Sequence, residues 1–132
     1  MIWLTRKQVR LAALTSPQAA AYCSMIHWNQ ILEAGPKEFM SGYVDSNSDY
    51  CAICQLMYLS NKKGTCPLNT KCCKDRMQCM ICCQEYHAAV VAMRCDLNTD
   101  GNIGEPQDEW YDHTKVIIRA LIERIRDVLQ GM

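Results

Sequence analysis

Apolar residues recur with helical spacing in several stretches of this chain, and the segments between them are polar or rich in cysteine. The last stretch is the most regular. Trp110, Ile117, Leu121, Ile125 and Val128 or Leu129 fall on one face, with Lys115, Arg119, Glu123, Arg126 and Asp127 largely away from it. The pattern predicts a helix over 106–130. Pro106 suits its opening, Asp108 and Glu109 its first turn, where the helix dipole favours acids, and Gly131 its end. Ile118 and Ile122 widen the apolar face beyond what one neighbour covers. The helix is therefore expected either to be sandwiched between two elements or to meet another chain.

The N-terminal region, 5–35, reads as two helices. Thr5 suits the N-cap of a short helix over Arg6 to Leu14, with Val9, Leu11 and Leu14 as apolar contacts. Ser16-Pro17 starts the second, with serine capping and proline at the first helical position, where its missing N–H costs nothing. Ala21, Met25, Trp28 and Leu32 then recur on one buried face, and Gly35-Pro36 is expected to stop the helix. His27, beside that face, is expected to pack rather than to bind a ligand. Lys37 to Asp49 reads as a loop pinned by Phe39, Met40 and Tyr43.

A further helix is predicted over 75–94, with Asp75 and Gln78 as a capping box, followed by an acidic turn over 95–105. Cys79, Cys83, Tyr86, Val90 and Met93 are spaced like its apolar stripe, and Cys23, Cys83 and Cys95 are expected to pack as small hydrophobes. The fold class is mainly α, a single helical domain over 1–132 built around a cysteine-rich zinc knuckle at 50–83.

Ten cysteines in 132 residues admit a disulfide framework in an oxidising compartment or thiolate metal binding in a reducing one. The opening MIWLTRKQVRLAAL has too short an apolar run for a signal segment, with its basic residues on the wrong side of it. No stretch approaches the roughly 18 apolar residues needed to span a bilayer. The expectation is a cytoplasmic protein with reduced thiols and no membrane association.

Cys51-Ala-Ile-Cys54 is the first candidate ligand pair, because a tight turn between two such cysteines brings both sulfurs to one tetrahedral ion. Cys79-Met-Ile-Cys82 is a second pair, and between them lie Cys66, Cys72 and Cys73. Two ligand sets remain open. One joins Cys51, Cys54, Cys66 and either Cys72 or Cys73, which closes the smaller loop; the other joins the two pairs. One zinc ion is expected, or two, although an iron–sulfur cluster could use the same thiolates. A thioredoxin-type redox role is disfavoured, since polar loop rather than apolar strand precedes each pair.

Asp96, Asn98, Asp100, Gly101, Asn102 and Ile103 stand in the order of the first positions of a calcium loop, and the segment resembles an EF-hand there. The resemblance implies oxygen ligands at Asp96, Asn98, Asp100 and Asn102. Gln107 stands where the bidentate glutamate belongs, so an acidic turn is expected rather than a calcium site. The formal net charge is zero, which gives the whole molecule no field toward nucleic acid. A local basic cluster of Lys62, Lys63, Lys71, Lys74 and Arg76 is the candidate nucleic-acid contact, without the interleaved aromatics that base stacking uses.

His27-Trp28, Cys51-Ala-Ile-Cys54-Gln55, Cys66-Pro67-Leu68 and Trp110-Tyr111 before a closing helix together resemble small cysteine-rich proteins of tailed bacteriophages. The chain departs from that pattern in its single cysteine before Pro67 and in its extra group from Cys79 to Cys83. The resemblance implies a phage setting, hence the host cytoplasm, and a structural zinc rather than a reaction. The functional expectation is a non-enzymatic protein that binds and modulates a host protein or complex, or forms a homodimer, through its C-terminal helix. The alternative is a zinc-knuckle nucleic-acid binder.

Overall fold

A computed structural model describes residues 1–42, 44–46, 50–59, 84–97 and 107–132. Five helices fall among them: α1 (Arg6–Thr15), α2 (Pro17–Ser41), α3 (Ala52–Leu59), α4 (Gln84–Leu97) and α5 (Asp112–Gln130). No strand occurs among the described residues, so the chain is mainly α as expected.

The caps of the first two helices form as their sequence dictates. Thr5 Oγ1 accepts the Gln8 N–H at 3.1 Å while Gln8 Oε1 accepts the Thr5 N–H at 2.9 Å, a reciprocal capping box. Ser16 Oγ accepts the Ala19 N–H at 3.0 Å, and Pro17 opens α2. The face of α1 turned inward is Val9 and Ala13; Leu11 and Leu14, expected as core contacts, are 65% and 61% exposed. They lie on the opposite side of the helix from Val9.

α2 is the shared element. It packs with α1 and α3 around a small cluster of Val9, Ala20, Cys23, Tyr50 and Ala52. It also packs with α4 and α5 around the main core, which includes Trp28, Ile31, Ile53, Tyr86, Met93 and Trp110. Ile118, Leu121, Ile122 and Ile125 of α5 enter that core and are almost fully buried. Each such side chain contributes about 1.5–3 kcal/mol. Ile117, Val128 and Leu129 pack against the same cluster. The wide apolar face of α5 is thus taken up between α2 and α4, so of its large apolar side chains only Val116 is left exposed.

Gly35-Pro36 breaks α2 without ending it. Gly35 takes φ 82° and ψ 170°, and helix resumes through Ser41, so part of the expected loop is helical. Phe39 is buried there as expected, whereas Met40 is 53% exposed. The break docks the segment before α5: Lys37 N–H donates to the Gln107 carbonyl at 3.1 Å, and Gly35 sits against the Asp108 backbone. Trp110, 2% exposed, donates Nε1–H to the Ile31 carbonyl at 2.6 Å. These contacts hold 107–111 out of helical geometry, which is why α5 begins at Asp112 and not at 106. The described part of the preceding helix begins at Gln84 and runs to Leu97, past the expected end at Arg94.

Candidate metal centre

The first cysteine pair lies at the boundary of the two clusters. Cys51 immediately precedes α3, and its Sγ accepts the Cys54 N–H at 3.2 Å, in the position an N-cap side chain takes. Both cysteines are 4% exposed and neither is in a disulfide. α3 itself, AICQLMYL, was not read from the sequence, where 50–83 is a metal knuckle whose only expected helix begins at 75. The consequence for chemistry is that Cys51 and Cys54 stand one helical turn apart at a helix start. The donors of that first turn are taken up within the protein: Ile53 N–H by Ser24 Oγ at 3.4 Å, Cys54 N–H by Cys51 Sγ and Gln55 N–H by the Cys51 carbonyl at 2.9 Å.

Two donors do not make a zinc site. Among the described residues no group of three or more His, Cys, Asp or Glu side chains is arranged to hold an ion. The other candidate ligands, Cys66, Cys72, Cys73, Cys79 and Cys82, lie outside the described residues. So do Asn98, Asp100 and Asn102 of the calcium-like segment, and Lys62, Lys63, Lys71, Lys74 and Arg76 of the basic cluster.

The remaining cysteines divide by environment. Cys23 is 7% exposed, as expected of a packing residue. Burial first, and then the neighbouring Cys51, push its thiol up to about 11, which keeps it a neutral apolar side chain. Cys95, expected in the core, is exposed, because α4 turns Ala92, Met93 and Asp96 inward and leaves Arg94 and Cys95 to solvent.

His27 packs beside the pair as the sequence leads one to expect, and it is more deeply set than a flank position implies. It is 1% exposed, and its ring stacks on Tyr50 with centroids 5.4 Å apart at 16°. Arg6 lies over the Tyr50 ring at 5.6 Å. His27 Nε2 is 2.9 Å from the Asp45 carbonyl oxygen. A carbonyl only accepts, so Nε2 carries the proton and Nδ1 is the bare nitrogen, buried without a partner. Desolvation lowers the His27 pKa, and only partly is this offset by the Asp45 carbonyl bond and carboxylate.

A depressed histidine pKa means that the unfolded chain binds the proton more readily. Stability is therefore full above the ordinary value of about 6.5 and is lost as pH falls below it, with a limiting slope of about 1.4 kcal/mol per pH unit. Urea unfolding of wild type and His27→Gln between pH 7 and pH 5 should show a steeper loss in wild type. Parallel curves would mean that His27 does not carry this dependence.

Asp96, the first position of the calcium-like segment, is 1% exposed at the end of α4. Its Oδ2 accepts the Tyr111 N–H at 3.1 Å, and its Oδ1 is 3.9 Å from His113 Nε2. The carboxylate thus serves the start of α5, where the helix dipole and unpaired N–H groups favour a negative charge. Tyr111, which offers no side-chain cap of its own, is supplied from another helix. This use of Asp96 was hidden in the sequence because acidic turn and calcium loop share their residue types.

A small open cleft of about 80 Å³ lies between Leu32, Glu33, Gly35, Asp108, Glu109, Trp110 and Lys115. Its polar lining is the carboxylates of Glu33, Asp108 and Glu109 and the ammonium of Lys115. No described helix is long and apolar enough to cross a membrane. Comparison with known protein families, characterised proteins and solved structures finds no match for the chain.

Proposed function

We propose that this is a non-enzymatic zinc-binding protein of the phage type that acts in the host cytoplasm by contact with a host protein or complex. The ion is held by Cys51 and Cys54, with Cys66 and Cys72 or Cys73 completing the set, and it ties the cysteine-rich segment to the start of α3. Support for the metal comes from the paired sulfurs at that helix start and the N–H donated between them.

The observation that carries the contact reading is the placement of large apolar side chains on charged, outward helix faces. Leu11 and Leu14 stand among Lys7 and Arg10 on α1, while Tyr111 and Val116, 42% and 62% exposed, stand beside Asp112 at the start of α5. This moves the contact away from the broad isoleucine face of α5, which the chain buries itself, to the opposite side of that helix.

Affinity capture from bacterial lysate tests the reading, with wild type compared to a Leu11→Asp, Leu14→Asp, Val116→Asp variant, each eluate with and without nuclease. A host protein retained by wild type, lost by the variant and indifferent to nuclease is the expected result. Capture that disappears with nuclease would replace it by the nucleic-acid reading through Lys62, Lys63, Lys71, Lys74 and Arg76.

A further inference from the structure

We infer that two copies of this chain associate through unlike helix faces, the outer face of α1 in one lying along the outer face of α5 in the other. The α1 face consists of Lys7, Arg10, Leu11 and Leu14, spaced i, i+3, i+4 and i+7, which is one continuous side of a helix. All four are exposed, because Val9 and Ala13 already serve the interior. No acidic residue occurs in the chain before Glu33, so nothing on this helix offsets its cations.

The α5 face has the opposite sign. Asp112, Val116, Ala120, Glu123 and Asp127 follow one another at intervals of four, four, three and four and are all exposed. Ile118, Leu121, Ile122 and Ile125 occupy the buried side. Arg119 and Arg126 stand at one edge of this acidic stripe and not along its middle. None of Lys7, Arg10, Asp112, Glu123 and Asp127 is in an ion pair among the described residues.

The chain therefore carries two solvent-facing helix stripes of opposite charge, with Val116 and Ala120 between the acids of one and Leu11 and Leu14 at the C-terminal end of the other. Leu11 and Leu14 fit over Val116 and Ala120, the small alanine letting the helices approach, with Lys7 and Arg10 toward the carboxylates. Within one chain these stripes do not serve each other: α1 packs on α2 and α3, whereas α5 packs on α2 and α4. A second copy supplies the match. One crossing of a ten-residue helix is smaller than a standard interface, so affinity in about the micromolar range and a marked salt dependence are expected.

The inference shares these faces with the contact reading, but it is tested on purified protein alone, so its failure and that of host capture are separate results. Sedimentation velocity across a concentration series would compare wild type with Lys7→Glu/Arg10→Glu and with Glu123→Lys/Asp127→Lys. Neither variant should impair folding: Lys7→Glu in the first turn of α1 and Asp127→Lys in the last turn of α5 suit the helix dipole, while Arg10 and Glu123 are exposed mid-helix positions where glutamate and lysine are both good helix formers; circular dichroism checks this. Wild type should associate, each variant alone should do so at least about tenfold more weakly, and an equimolar mixture of the two should recover association. A wild-type monomer at about 100 μM in low salt, association unmoved by either variant, or a mixture that fails to recover would each overturn it.

Discussion

Cys51→Ser should lose the bound zinc and unfold the middle of the chain, although serine is the better N-cap residue. This substitution separates two roles that the geometry superimposes. If Cys51 only accepts the Cys54 N–H at the start of α3, a hydroxyl does so equally well and stability should hold or rise slightly. If Cys51 is a zinc ligand, a hydroxyl is a poor replacement for a thiolate, and structural zinc supplies roughly 10 kcal/mol or more of folding free energy in small domains. That exceeds or rivals the whole stability of a typical domain. Near-UV circular dichroism should report the loss, because Cys51 and Cys54 share a cluster with Trp28 and Tyr86. Cys23→Ala, which removes a buried sulfur with no metal role, should cost only about 1–3 kcal/mol. A Cys51→Ser protein that melts like wild type would assign Cys51 to capping alone.

Gly35→Ala should destabilise the fold by roughly 2–6 kcal/mol, adding the cost of a positive φ to that of forcing apart two packed backbones. Gly35 holds φ 82°, and a Cβ there would collide with the Asp108 carbonyl oxygen and come within 3.3 Å of Glu109 Cα. Relief would require displacing 107–110, and with it the buried Trp110 and the Lys37–Gln107 hydrogen bond. Gly131→Ala is the control, since its φ of −79° suits any residue and the nearest atoms to an added Cβ are 3.6 Å away. Urea unfolding of the pair measures the difference. A change below about 0.5 kcal/mol at Gly35 would mean that the kink and the 107–110 segment do not bear on one another.

The contrast between Gly35 and Gly131 also shows what was legible in the sequence. Local signals read well: Thr5 with Gln8 and Ser16-Pro17 place two helix starts, because capping is decided by residues three apart. Gly35-Pro36 signals a break for the same reason, but its continuation to Ser41 depends on Phe39 finding the core. The start of α5 was misplaced because Asp108 and Glu109 look like first-turn acids until Trp110 is seen reaching back to Ile31, a contact across 79 positions. Leu11 and Leu14 looked like core residues because helical spacing alone does not say which of two apolar faces turns inward. α3 was missed because two cysteines read as ligands, and their helical propensity carried no weight beside that.

The candidate site was legible by chemistry and not by surroundings. Spacing marked Cys51 and Cys54, but the carbonyl held by His27, the Tyr50 stack and the carboxylate that Asp96 lends to α5 join residues 15 to 23 apart. No local pattern encodes them.

Elemental analysis of protein purified without chelator tests the central claim most directly. At least about one zinc ion per chain is expected, and replacement of Cys51 and Cys54 together should abolish it. Less than about half an equivalent of zinc, with no iron in its place, would contradict a metal-held knuckle.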